Sequence, residues 1–219
     1  TEANAVGSIE LTAASAAAMA RAVRPGMAGA LPDRPLAIES ALEADGQRIE
    51  LAELKLRLGE TTGEGTVVVD LAETPMVTAA IAFPMFDLDS LLAASDSASD
   101  GEERAAAAQP ESTVGTGFPA GVTARLDFSA DRIRLRDGLL RDGRLSATLD
   151  EGIVALSNAA ARLPGGTDVS VSGTAASGEG GIGFTGELAA AADNLRAALV
   201  WAGIEDAVIP RDRLRGFSF

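Results

Sequence analysis

The chain contains no cysteine, no histidine and no tyrosine, and a single tryptophan, among 219 residues. Without cysteine there is no thiol nucleophile, no disulfide and no thiolate metal ligand. Without histidine the Ser-His-Asp triad and imidazole metal sites go too. Chemistry would have to run on carboxylates, Ser, Thr, Lys or Arg. Positive charge is scarce: 18 Lys plus Arg stand against 32 Asp plus Glu, a formal net charge of −14. Binding a phosphate backbone needs a clustered positive surface, so nucleic acid is not expected as a partner. Long apolar runs are missing as well. A membrane helix needs about 20 residues; the best stretch, 13–20, is short, Ala-rich and followed by Arg21. Absence of cysteine suits the cytosol and a periplasm without disulfides equally.

What is present is alternation. Residues 5–11 read as a strand, after which Ser15 is placed to cap a short helix through Val23. Leu36, Ile38, Ser40, Leu42 and Ala44 share one face of a strand, with Glu39 and Glu43 on the other. Asp45-Gly46 signals a hairpin. Ile49 and Leu51 follow in one phase but Leu54, Leu56 and Leu58 in the other, which predicts a β-bulge near Ala52. Residues 59–65 are expected to hold the next turn. Val67-Val68-Val69 marks a strand, and Pro75 and Pro84 bracket another. Asp87 or Asp89 then caps a helix start. The second half repeats the style. Ala124, Leu126 and Phe128 alternate, Asp131 turns the phase, and Ile133 and Leu135 continue. Asp137-Gly138, Asp142-Gly143, Glu151-Gly152 and Pro164-Gly165-Gly166 punctuate the run. Ile182, Phe184, Gly186 and Leu188 form a further strand, and Asp193 is read as the cap of a helix over 194–201 that Gly203 ends.

Three segments, 9–23, 81–94 and 182–203, share a strand–cap–helix plan. The expected fold is therefore mainly β: an antiparallel meander sheet, curved or groove-like, with a few short helices from repeated strand–helix units. Two β regions, 1–95 and 118–219, are expected to flank a disordered acidic linker at 96–117. The chain begins at Thr1 and ends in an alternating stretch, 214–219, and reads as part of a longer protein.

No catalytic constellation emerges. Asp87 with Asp89, or Asp127 with Asp131, are the nearest to an acid–base pair, and caps and turns account for them. There is no Gly-x-Ser-x-Gly elbow. The Gly-rich run at 178–183 precedes a strand instead of a helix, unlike a phosphate or dinucleotide loop. The expectation is a non-enzymatic protein with no cofactor and no metal site.

The order of these patterns resembles the AsmA family of bacterial envelope proteins. Three stretches carry the resemblance. The first runs from Pro35-Leu36-Ala37-Ile38 through Ile49-Glu50-Leu51-Ala52-Glu53-Leu54 to Gly65-Thr66-Val67-Val68-Val69. The second is Phe86-Asp87-Leu88-Asp89-Ser90-Leu91-Leu92. The third starts at Leu126-Asp127-Phe128, extends through Gly152-Ile153-Val154-Ala155-Leu156 to Gly165-Gly166, and resumes from Phe184 to Phe219. Two departures stand out: the family's N-terminal anchor is absent here, and Asn158-Ala159-Ala160-Ala161-Arg162 replaces a cleaner strand. The resemblance implies a periplasmic protein whose parent chain is anchored in the inner membrane. It also implies a long β-sheet with an apolar channel for phospholipid, serving outer-membrane homeostasis or assembly.

A lipid conduit needs a sheet with one apolar and one wet face, which period-2 alternation supplies. The face candidates are Leu36, Ile38, Leu42, Val67, Val69, Leu126, Phe128, Leu145, Leu149, Ile182 and Phe184. Arg132, Arg134 and Arg136, in the one basic concentration, are candidate headgroup contacts. The alternative is a scaffold or assembly module that docks neighbouring repeats or envelope proteins through sheet edges.

Overall fold

The computed structural model describes residues 4–23, 32–93, 123–178, 181–194, 200–201, 203 and 215–218. In chain order the elements are β1 (Ala5–Ala13), α1 (Ala16–Val23), β2 (Leu36–Ala44), β3 (Arg48–Leu58), β4 (Thr61–Asp70), β5 (Met76–Phe83) and β6 (Phe86–Asp87). A helix α2 over 88–93 follows, then β7 (Thr123–Leu135), β8 (Gly138–Asp150), β9 (Ile153–Leu163), β10 (Thr167–Gly178), β11 (Gly181–Asn194) and β12 (Arg215–Ser218). All strands belong to one sheet in the order β1-β2-β3-β4-β5-β7-β8-β9-β10-β11-β12, with β6 pairing β7 off that path. The sheet does not close into a barrel: β1 and β12 stand at its two ends.

The expected mainly β meander is the fold that forms, with one change of direction. β5 and β7 are parallel over the whole of β5, from Met76 opposite Thr123 to Phe83 opposite Ala130, and β6 also runs parallel to β7. Parallel neighbours need a crossover instead of a hairpin; β6 and α2 lie in that connection, and its residues 94–122 are outside the described ones. The proposed linker at 96–117 lies outside the described residues.

Turn chemistry sets the register elsewhere. Asp45 Oδ1 accepts hydrogen bonds from the N–H groups of Gln47 (2.9 Å) and Arg48 (2.8 Å), closing the β2–β3 hairpin. Arg136 and Asp137 both take positive φ (50° and 57°) between Leu135 and Gly138, as do Glu151 and Gly152 (46° and 79°) between Asp150 and Ile153. Two positive φ values in a two-residue loop are the mirror-image turn that matches strand twist.

The phase change in β3 is a bulge, as its sequence predicts. The β3–β4 register shifts between Leu51 and Leu54, and Glu53 holds φ 51°. The β2–β3 register shifts opposite it, where the buried Ser40 hydroxyl donates to the Ala52 carbonyl at 2.8 Å. Three expectations are corrected. The turn after β3 is only Gly59-Glu60, and Gly63 and Gly65 lie inside β4. They remain extended because β5 packs closely on them: Phe83 lies over Gly63, where a Cβ would collide with its ring. Asp142-Gly143 is not a turn but a bulge within β8: Asp142 holds φ 52° and the β8–β9 register shifts between Arg141 and Arg144. The helix does not begin at Asn194 as expected, and Asp193 is a strand residue. It sits in β11, where its N–H meets the Gly166 carbonyl. Of the helix expected over 194–201, Asn194 belongs to β11, 195–199 lie outside the described residues, and Val200 and Trp201 are helical. The stretch from Asn158 to Arg162, expected to be less clean, is part of β9.

The core gathers at one end of the sheet. Phe83, Ala130, Ile133 and Leu140 are buried together, with Leu56, Ile81, Phe86, Leu88, Phe128 and Trp201 packed against them. The rings of Phe83, Phe86 and Phe128 meet pairwise at 5.0–5.5 Å in tilted and edge-on geometry, the arrangement their quadrupoles favour. α1 and α2 leave the sheet at this end. Ser15 caps α1 by accepting from Ala18 N–H at 3.0 Å, and Asp87 caps α2 by accepting from Ser90 N–H at 3.1 Å. Both caps are where the sequence places them.

Candidate functional site

Cα partners on adjacent strands point their side chains to the same face, and successive residues alternate except at bulges. The registers therefore sort the strand residues onto two faces. On the first lie Ile9 and Leu11 of β1; Leu36, Ile38 and Leu42 of β2; and Ile49, Leu51, Leu54 and Leu56 of β3. Val67 and Val69 of β4 and Val77, Ala79, Ile81 and Phe83 of β5 continue it. Leu126 and Phe128 of β7, Leu145, Ala147 and Leu149 of β8, and Val154 and Leu156 of β9 extend it. The phase of β7 and β8 shifts together at Asp131 and Asp142, so Ile133 and Leu140 join Phe83 on this side. Val169 and Val171 of β10, and Ile182, Phe184 and Leu188 of β11, complete it. Outside the bulge residues Glu53, Asp131, Asp142 and Ser157, the described strand side chains on this face include no Asp, Glu, Lys or Arg. The polar ones are Ser40, Thr61, Thr167 and Ser177.

All eleven face candidates fall on this one side. The structure also brings in residues beyond those eleven, chiefly Leu54, Leu56, Ile81, Phe83 and Leu188. Leu54 and Leu56 follow once the predicted bulge near Ala52 is applied, and Phe83 and Leu188 can be found by extending the alternation of their own strands.

Cover is uneven across the face. At the helix end Leu36 and Phe83 are 6% and 7% exposed. Farther along, Ile38, Leu51, Val67 and Ile81 are half-buried, and at the last strands Ile182, Phe184 and Leu188 are 60%, 53% and 62% exposed. Leu126, mid-sheet, is also exposed.

The second face is polar. Arg48 pairs with Glu50 and Asp70 at 3.3 and 3.6 Å, and Arg162 pairs with Asp168 at 2.8 Å. The Arg162 hydrogen bond holds the Asp168 carboxyl below its ordinary value and raises Arg162 in turn. Ser146 donates to Asp127 at 2.7 Å, and Thr123 to Asp150 at 3.1 Å. The open recesses lie mainly on this side. One of about 790 Å³ is bordered by Lys55, Glu64, Asp127, Arg144, Ser146 and Asn158, with Ala80 and Ala82 lining it too.

The carboxylates weighed as acid–base pairs have separate local duties. Asp87 accepts from the Ser90 hydroxyl at 2.6 Å, which holds its carboxyl below the ordinary range against the opposing effect of burial. Asp89 accepts from Arg136 N–H at 2.8 Å, tying α2 to the β7–β8 turn, and Asp127 holds Ser146. Asp131 is exposed. No group of three or more metal-ligating side chains occurs among the described residues, and none of their helices is long and apolar enough to cross a membrane. Of the candidate headgroup contacts, Arg132 and Arg134 are exposed on β7, opposite Arg141 and Leu139, while Arg136 lies in the turn.

The chain matches no protein-family model, no curated protein and no solved structure.

Proposed function

We propose that this chain is a section of a non-enzymatic, AsmA-like envelope protein that shelters phospholipid acyl chains against its apolar sheet face. On this reading it belongs to the periplasm, within a parent chain anchored in the inner membrane. One observation supports it: an apolar face shared by the long strands, on which the charged residues among those described are confined to the bulges at Glu53, Asp131 and Asp142, and which is buried at the helix end and exposed at Ile182, Phe184 and Leu188. The ten strands that carry it, at about 4.8 Å spacing, give that face a width of about 45 Å. An acyl chain spans half of a bilayer core of about 30 Å, so several fit side by side. Each methylene taken from water contributes about 0.8 kcal/mol, which makes such a face a strong acyl sink. The polar reverse keeps the sheet wetted on one side.

The test is lipid extraction of the purified chain followed by mass spectrometry. Phe184→Asp and Ile182→Asp place a charge on the open part of the face. Ile153→Asp places the same charge on the polar face, at a residue of similar exposure, 48%. Phospholipid that co-purifies, is lost in the first two variants and stays in the third supports the reading. A folded chain without lipid, or equal loss in all three variants, sinks it.

A second reading, docking through sheet edges, draws on β11. Its partner β12 pairs only with Ala191, Ala192 and Asn194, so the strand from Gly181 to Ala190 has no outer neighbour among the described residues. That reading expects a lipid-free chain that captures an extended segment of a neighbouring repeat or envelope protein.

A further inference from the structure

The polar face carries a row of like charges at facing positions of neighbouring strands. Arg132 on β7 lies directly opposite Arg141 on β8, and Arg141 lies directly opposite Arg162 on β9. Like charges at facing positions of neighbouring strands are destabilising. The three residues are exposed, and Arg134, which faces Asp87 of β6, follows two residues along the same side of β7. Of the three in the row, Arg162 has a carboxylate partner, Asp168. Arg132 and Arg141 are in no ion pair among the described residues. Asp131 and Asp142 flank the Arg132–Arg141 rung along its own strands without pairing to it, although Asp142 acts on Arg162 through space. All this occurs in a chain of net charge −14, where cations are outnumbered.

We infer that the Arg132–Arg141 rung, with Arg134 beside it, is a binding site for a phosphate-bearing anion. Facing residues on antiparallel strands have Cα atoms about 4.5–5.5 Å apart, so two guanidinium forks can converge on one phosphate. The bound anion then removes the repulsion the row carries when empty. The site is on the reverse of the sheet from the apolar face and does not depend on it. The phosphate comes either from an anionic lipid headgroup or from a free phosphate group, and the experiment separates the two.

The full chain is titrated with inorganic phosphate by calorimetry. It is also sedimented with phosphatidylglycerol–phosphatidylcholine vesicles and with pure phosphatidylcholine vesicles at low ionic strength. The variant is Arg132→Gln with Arg141→Gln. Its control is Lys55→Gln with Arg57→Gln, which removes the same charge from the same face on β3. Loss of affinity by roughly tenfold or more in the variant, with little change in the control, supports the site. Binding to anionic vesicles alone assigns a headgroup, and binding of inorganic phosphate assigns a free phosphate group. Thermal unfolding supplies a second readout: relief of repulsion leaves the variant as stable as the parent or more so. No binding of either probe, equal loss in the control, or a variant whose melting temperature falls together with its binding overturns the proposal. The lipid extraction above reads the apolar face separately, so the two readings fail independently.

Discussion

If the apolar face is packed at one end and open at the other, two phenylalanines on it should differ sharply in what they contribute to stability. Phe83 is 7% exposed, touches Phe86 and Phe128, and covers Gly63. Phe83→Ala removes those contacts and leaves a cavity, at a cost of about 3–5 kcal/mol. Phe184 is 53% exposed. Full burial of such a side chain contributes about 1.5–3 kcal/mol, so a half-exposed ring contributes about 1 kcal/mol and leaves little cavity. Both residues sit within strands, so the loss of β propensity on going to Ala is shared and cancels in the comparison. The expected gap is about 2–4 kcal/mol, read as a difference in urea midpoint at constant slope. The single tryptophan, Trp201, packs against the core containing Phe83 and reports on that end, while far-UV dichroism reports on the whole sheet. Coincident transitions by the two probes license the comparison. If Phe184→Ala costs as much as Phe83→Ala, Phe184 is covered in the folded chain, and the case for an open apolar face fails.

Ser40→Ala should destabilise by about 1–2 kcal/mol, because it strips a partner from the Ala52 carbonyl at the β3 bulge; chemical denaturation measures it. Thr167 is 2% exposed and its hydroxyl has no hydrogen-bond partner among the described residues. Thr167→Val therefore leaves stability unchanged or raises it by about 1 kcal/mol, and a clear loss would mean that the hydroxyl is engaged. Asp87→Ala should cost about 1 kcal/mol near neutral pH through loss of the α2 cap. The Asp87 carboxyl is held below its ordinary 3.8, so its contribution is complete above that value and fades as pH falls through the lower, folded value. The gap between parent and Asp87→Ala, followed by denaturation from pH 6 downward, should close in acid; a gap constant to the lowest pH would refute the assignment.

Much of the fold is written in local signals. Strict alternation at Leu36-Ile38-Ser40-Leu42 and at Leu126-Phe128 places those strands, and the Asp45-Gly46 and Glu151-Gly152 pairs place their hairpins, because these signals act over a few residues. The bulge at Ala52 is legible for the same reason, since a slip of phase between Leu51 and Leu54 is visible without knowing the neighbour. The misreadings share another cause. Gly63 and Gly65 read as a turn in isolation, and only the close packing of β5, with the Phe83 ring over Gly63, explains why they stay extended. Asp142-Gly143 carries the same dipeptide signal as Asp45-Gly46, yet β8 continues through it as a bulge between β7 and β9. The parallel seam at β5–β7 joins residues separated by the long connection after Phe83, and no local pattern announces it.

The candidate site divides along the same line. Which residues share a face within a strand follows from period 2, so the eleven candidates are already in phase within their own strands. That the strands agree with one another is a property of register, which hairpin lengths and bulges set. A slip of one residue in β3 would have turned Leu54 and Leu56 toward the polar side and Lys55 and Arg57 toward the apolar one. The bulge at Glu53 takes up the extra residue, and the Ser40 hydroxyl holds the Ala52 carbonyl beside it. The arginine row is the converse case. Arg132, Arg141 and Arg162 are spread along the sequence as ordinary surface cations. They become a row only because the β7–β8 turn is two residues long and the β8 bulge falls beyond Arg141. The apolar face is thus a property of each strand that the registers preserve, whereas the arginine row is a property of the registers alone.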